Sequence, residues 1–190
     1  MMELLSLPES VTVGGLERPI RTDARVALLI RIMLQDPDLT PADKTEALLS
    51  MFYREPASIP AALRAEAAAA CFRFLQPQPG GRGRPGLVDW EHDLPLMIAP
   101  VNHILGTEIR ALPFDPQSGA GGLHWHSFLS AYLEIGPDTL FARVLTLREK
   151  CRSGQKLTKE ERAWLRRNRQ LIDPPKKLSE AEQKVLEAWT

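Results

Sequence analysis

The chain has 190 residues, of which 44% are hydrophobic and 25% charged, which are ordinary values for a globular protein. Its formal net charge is zero, which argues against a protein that coats nucleic acid with its whole surface. Its two cysteines, Cys71 and Cys151, lie far apart outside any Cys-x-x-Cys motif, which argues against a disulfide framework and favours a reducing compartment. No apolar run approaches the ~20 residues of a membrane span, and the first ten residues lack the basic and apolar regions of a signal peptide, so we expect a cytoplasmic protein without membrane contact.

The first predicted element is a β-hairpin near the N-terminus. Val11 and Val13 alternate with polar neighbours, Gly14 and Gly15 suit a tight turn, and a second short strand follows. Because two strands alone are marginally stable, this hairpin is expected to pack on helices or on another subunit.

Three helices are predicted next, each from a start signal followed by apolar residues at helical spacing. The first starts after Thr22-Asp23, and the second starts at Thr40-Pro41, where a capping residue precedes a proline. The third opens at Ile59-Pro60 and contains an alanine-rich run of high helix propensity.

A segment rich in proline and glycine, residues 77–87, predicts a linker. It divides the chain into an N-terminal hairpin with three helices (1–76) and a C-terminal helical region (88–190). The predicted fold class is therefore mainly α: an N-terminal β-hairpin plus three helices, a linker, and then a second helical bundle.

Beyond the linker, a helix from Asp89 to Gly106 is expected to be interrupted or kinked at Pro95 and Pro100. Residues 107–112 are predicted as a short strand or extended loop, residues 118–122 as a flexible glycine-rich insertion, and residues 124–135 as a helix. Another helix should start at Pro137, and a further one after Thr158, where Glu161 completes a capping box. A last helix is predicted over 179–189.

Histidine and tryptophan are concentrated in the second part, which suggests either a metal site or a packing centre. On a helix His124 and His126 would point about 200° apart and could not share an ion, and prolines separate His92 from His103. No metal-binding histidine motif is present. We therefore predict no metal, no cofactor and a structural cluster, whose members are Trp90, His124, Trp125 and Phe128. The predicted core of this part is Trp90, Trp125, Phe128, Leu129 and Leu145.

The chain also lacks the sequence signatures of the common enzyme classes. It has no Gly-x-Ser-x-Gly elbow, no phosphate-binding loop and no dinucleotide fingerprint, so no catalytic residue is predicted and the chain is not expected to be an enzyme.

Basic residues are concentrated near the C-terminus, with twelve Lys and Arg against four Asp and Glu over residues 143–177. Such asymmetry suggests an electrostatic partner or self-association, while a solvated helix face is the simpler interpretation. The candidate basic interaction face consists of Arg162, Arg166, Arg167 and Arg169, and nucleic-acid binding through it remains an alternative.

Several ordered motifs resemble the bacteriophage gene-product-fifteen family over most of the chain. In the first half these are Leu7-Pro8-x-Ser10-Val11-x-Val13-Gly14-Gly15, then Ile20-x-Thr22-Asp23, and the run from Leu34 to Leu39. In the second half they are Asp89-Trp90-Glu91-x-Asp93, Gly106-Thr107-Glu108-Ile109 and Leu123-His124-Trp125-x-x-Phe128, followed by a basic helix. The chain departs from the family pattern at His92, at His126 and in a longer insertion over 116–122.

The resemblance implies a tail-region protein of a siphophage or prophage, located in the cytoplasm of the bacterial host. Such a tail-assembly chaperone would bind the tape-measure protein or other tail proteins and form homo-oligomers. The family brings no catalytic residues to transfer. A chaperone for a helical client needs apolar grooves between helices, which many short amphipathic helices can provide.

Overall fold

The computed structural model describes residues 6–76, 86–115 and 120–173 and is mainly α-helical, as predicted. The elements in chain order are β1 (Ser10–Val13), β2 (Leu16–Pro19), α1 (Ala24–Gln35), α2 (Pro41–Phe52), α3 (Arg64–Leu75), α4 (Trp90–Leu105), β3 (Phe114–Asp115), β4 (Ala120–Gly121), α5 (Trp125–Leu133), α6 (Leu140–Arg152), α7 (Lys159–Arg167) and α8 (Arg169–Ile172). The helix predicted over 179–189 lies outside the described residues.

The N-terminal hairpin is confirmed, with β1 and β2 antiparallel and Val13 paired with Leu16. Gly14 and Gly15 have φ values of 59° and 74°, which suit the tight turn between the strands. The hairpin packs on α3, where the backbone N–H of Gly14 donates to Glu66 Oε1 at 2.9 Å and Val13 is fully buried. Packing on a helix thus supplies the stability that two strands lack alone.

The starts of α1, α2 and α7 follow the predicted local signals, whereas α3 begins at Arg64 and α6 at Leu140, each a few residues after the predicted start. Asp23 caps α1, and Thr40 and Thr158 each form a capping box, with Asp43 and Glu161 respectively. These caps satisfy N–H groups that the first helical turn leaves without intrahelical partners.

Several details of the second half differ from the predictions. Helix α4 is continuous through both Pro95 and Pro100, so neither proline interrupts the helix. Residues Ile109–Ala111 form a turn of 3₁₀ helix instead of a strand. The glycine-rich segment contributes β4, which pairs with β3, because Gly121 at φ 85° allows close approach to the carbonyl of Pro113.

The chain divides into two compact units, residues 1–142 and 143–190. In the first unit α1 contacts α2, α4 and α5, so helices from both sides of the segment 77–87 pack together. The predicted division at that segment therefore does not coincide with a division between compact units; of the segment itself, 77–85 lies outside the described residues. Composition predicted a connecting segment, whereas contacts between distant helices define the units.

Candidate functional site

Two tryptophans and a phenylalanine form the centre of the first unit; we call Trp90, Trp125 and Phe128 the tryptophan cluster. Trp125 is fully buried, its ring stacks on Phe128 at 5.5 Å, and Trp90 meets it edge-on at 6.5 Å between ring centroids. Leu129 is also buried. Leu145 is not part of this core, contrary to prediction, because it lies half-buried on α6 in the second unit.

A half-buried arginine that the sequence analysis missed completes this cluster. The guanidinium carbon of Arg31 lies 4.7 Å from the ring centroid of Trp90 and 5.1 Å from that of Trp125, and the group donates to the carbonyl of Leu75 at the end of α3. Burial lowers the pKa of Arg31. The sequence does contain a signal for such a contact, because Arg31 is a single charged residue within the apolar run of α1. Stacking on indole faces and a carbonyl acceptor explain how this charge is tolerated.

His124 and His126 lie side by side, with ring centroids 5.3 Å apart. The prediction that these two side chains point about 200° apart is wrong. It assumed that both residues are helical, whereas His124 is the N-cap of α5 and has an extended backbone. Its Nδ1 accepts the backbone N–H of His126, and its Nε2 lies 3.1 Å from the carbonyl of Pro8. Both contacts are satisfied by the neutral Nε2–H tautomer. Burial is the main cause that lowers the pKa of His124.

The histidine pair serves packing in this arrangement. The ring of His126 stacks on Phe74 at 4.6 Å, and its Nε2 lies 3.1 Å from the Phe74 carbonyl. Within the described ranges, no group of three or more His, Cys, Asp or Glu side chains is placed to hold a metal ion. His92 is half-buried and His103 is exposed, both on α4. Burial raises the pKa of the Cys71 thiol to about 12, which makes it a poor nucleophile.

The starts of α1 and α5 hold each other in place. The backbone N–H of Ala24 donates to the Leu123 carbonyl at 2.7 Å, and that of Trp125 donates to the Thr22 carbonyl at 2.7 Å. The carboxylate of Asp23 is buried and accepts from the N–H groups of Arg25 and Leu123, while burial raises its pKa. These bonds fix the entry of α5, and with it the position of Trp125.

Helix α4 is apolar on two sides, and the residues that the structure describes cover only one of them. Trp90, Met97 and Val101 face the core and are buried. The other side forms one wall of an open groove of about 700 Å³. This wall consists of Pro95, Leu96, Ala99, Pro100, His103 and Ile104. Their spacing over ten residues places them on a single stripe about 14 Å long at 1.5 Å per residue.

The connection from α5 to α6 forms the opposite wall of this groove, which we call the α4 groove. Its members are Glu134, Gly136, Asp138, Thr139 and Leu140. Thr139 Oγ1 donates to the Gly136 carbonyl at 2.9 Å and accepts from the Ala142 N–H, so the wall is held by a local hydrogen-bonded turn. A Cβ atom on Gly136 would meet no atom within 4 Å, and Gly136 lacks a positive φ.

Apolar side chains remain exposed in the α4 groove while its charged residues are acidic. Ile104 is 40% exposed and Leu140 is 46% exposed, although both are large aliphatic residues. Glu134 and Asp138 are exposed on the opposite wall. An exposed apolar surface with a polar rim is typical of protein-binding sites.

The candidate basic face lies in the second unit. Arg162, Arg166 and Arg167 on α7 and Arg169 on α8 are all exposed. Arg162 donates to the Leu157 carbonyl at 3.0 Å, and Arg169 pairs with Asp173 at 3.1 Å across an exposed i,i+4 spacing. The apolar side of α7 is occupied within its own unit, where the guanidinium of Arg143 lies 4.7 Å from the ring centroid of Trp164. Trp164 is half-buried, whereas these arginines are exposed and accessible to a partner.

Searches for known relatives add no further constraint on the site. Comparison of the chain with protein-family models, curated proteins and solved structures found no match. Within residues 6–76, 86–115 and 120–173, no helix is both long enough and apolar enough to cross a bilayer.

Proposed function

We propose that this chain is a binding protein without catalytic activity that acts as a phage tail-assembly chaperone and holds an amphipathic helical segment of the tape-measure protein in the α4 groove. The exposed apolar stripe of α4 carries the proposal. The family resemblance of the sequence names the client, and the groove supplies a surface of suitable chemistry.

The dimensions of the groove suit a helix. Its α4 wall runs about 14 Å, which corresponds to between two and three helical turns. Apolar residues of a client helix, spaced at i, i+3 or i+4, and i+7, would enter between α4 and the α5–α6 connection. Burial of Ile104 and Leu140 against the client would drive binding, because both side chains are left in water in the free protein.

The test is co-expression of the chain with the neighbouring tape-measure protein. We expect the chain to raise the soluble fraction of this client, and the double substitution Ile104→Ser/Leu140→Ser to abolish the gain. The matched control is Leu16→Ser/Leu29→Ser, which removes two leucines that are 59% and 54% exposed outside the groove. A client that stays insoluble, or a control that fails as completely as the groove variant, would contradict the proposal.

Nucleic-acid binding is the second candidate, and the four exposed arginines favour it. Binding through phosphates weakens steeply with salt, whereas binding through an apolar groove does not. If the chain shifts duplex DNA or RNA at low salt and Arg166→Glu/Arg167→Glu abolishes the shift while the client stays insoluble, the nucleic-acid function replaces the chaperone function.

A further inference from the structure

We infer that the α4 groove selects helices whose apolar stripe is flanked by lysine or arginine, with Glu134 and Asp138 as the residues that determine this preference. The inference rests on the proposed helix-binding function and specifies the charge of the partner. It arises from the juxtaposition of an exposed apolar stripe on α4 with two carboxylates on the facing wall.

The charge of the described groove lining is one-sided. Glu134 and Asp138 are acidic and exposed, and among residues 6–76, 86–115 and 120–173 no lysine or arginine lines either wall. The net charge of the first unit is also negative, because residues 1–142 contain seventeen Asp and Glu against eleven Lys and Arg. A client helix with basic flanks therefore meets opposite charge both at the rim and in the surrounding field.

The apolar wall cannot provide this discrimination. Pro95, Leu96, Ala99 and Pro100 contact any apolar stripe equally well, and proline lacks the backbone N–H that could read a polar group. Carboxylates beside the apolar contact act differently on flanks of opposite sign, attracting cations and repelling anions. Specificity then follows from repulsion of the wrong helix as well as attraction of the right one.

The experiment measures binding of three synthetic helical peptides to the full-length chain by fluorescence anisotropy at pH 8, which removes histidine charge from the comparison. All three peptides have the same length. The first carries a leucine stripe flanked by lysines, the second the same stripe flanked by glutamates, and the third lysine flanks with the leucines replaced by serine. We expect the lysine-flanked peptide to bind on the order of tenfold more tightly than the glutamate-flanked peptide at low salt, with the difference shrinking as salt rises.

Charge variants then identify the residues responsible. Glu134→Lys/Asp138→Lys should reverse the preference, and Glu134→Gln/Asp138→Asn should remove it with less perturbation of the start of α6. The matched control is Asp38→Lys/Glu55→Lys, which makes the same change in net charge at two exposed acids outside the groove. It should preserve the preference, apart from the small effect of net charge that salt screens.

The outcomes distinguish a failure of the charge selection from a failure of the proposed helix binding. A Gly136→Phe substitution places a ring in the groove at a position where a Cβ meets nothing, so it should block both leucine peptides. If both leucine peptides bind equally and Gly136→Phe blocks both, helix binding stands and the charge selection is wrong. If none of the three peptides binds, both the helix binding and the charge selection are wrong. Equal binding of the serine peptide would overturn both by showing that charge alone drives association.

Discussion

Replacement of Trp125 by alanine is the most direct test of how the first unit is held together. The side chain is fully buried, stacks on Phe128 at 5.5 Å and lies beneath the guanidinium of Arg31 at 5.1 Å. Removal of a buried tryptophan leaves a large cavity and typically costs about 3–5 kcal/mol. The loss of the cation–π contact places the expected cost in the upper part of this range.

A phenylalanine at this position should cost far less than alanine. Phenylalanine retains a ring that can stack on Phe128 and lie below Arg31. It also removes the Trp125 Nε1 donor, which is buried and has no hydrogen-bond partner among the described residues. A donor in that position contributes no hydrogen bond to lose, so we expect a cost of roughly 1–2 kcal/mol from the smaller volume alone.

The assay is equilibrium urea unfolding at 25 °C followed by near-ultraviolet circular dichroism, which reports aromatic packing. Phe72→Ala is the control, because Phe72 is an aromatic residue on α3 in the same unit but is 43% exposed. Its cost should stay within about 0.5 kcal/mol. A cost of Trp125→Ala no larger than that of the control, or equal costs for alanine and phenylalanine at position 125, would refute the packing argument.

The remaining predictions concern charge and backbone geometry. Burial holds the pKa of His124 below its usual 6.5, so the unfolded chain takes up a proton that the folded chain resists, and the free energy of unfolding should fall as pH drops below about 6.5. His124→Asn keeps a capping side chain and should flatten this slope in pH-dependent urea titrations, and an unchanged slope would contradict the assignment. Gly122→Ala should lower stability by about 1–3 kcal/mol more than Gly15→Ala, because both have positive φ but only the Cβ at Gly122 would overlap the Asp23 carboxylate. Thermal unfolding of the two variants measures this difference, and equal melting temperatures would show that the Asp23 contact is not as close as described.

Local signals allowed most helix starts to be predicted from the sequence. A capping box depends only on residues three apart, as at Thr40 and Thr158, so tertiary contacts need not be known. The cap at the start of α5 was missed because histidine is not among the usual capping residues. Its role depends on a carbonyl of Pro8 more than a hundred residues away, which no local pattern can reveal.

The position of Arg31 shows a second limit of prediction from the sequence. Periodicity alone assigns an arginine in an apolar helix either to the rim of the core or to solvent. Here two indole rings from α4 and α5 and a carbonyl at the end of α3 meet at the same point and accommodate the charge. Because those partners come from three different helices, the position of Arg31 against them could be recognised only when the helices were placed together.

Helix α4 connects the stability of the first unit with its proposed binding surface. From Leu94 to Val101 its sequence is apolar throughout, so the pattern there could not show which side would be covered. The fold covers the side that carries Trp90, Met97 and Val101, and this packing is what permits the opposite side to remain exposed without unfolding the helix. On that opposite side Ile104 is 40% exposed, so part of its apolar surface is in contact with water in the free protein and is available for burial against a partner. The proposed helical client would cover this exposed stripe, and the groove substitution Ile104→Ser/Leu140→Ser tests whether it does so.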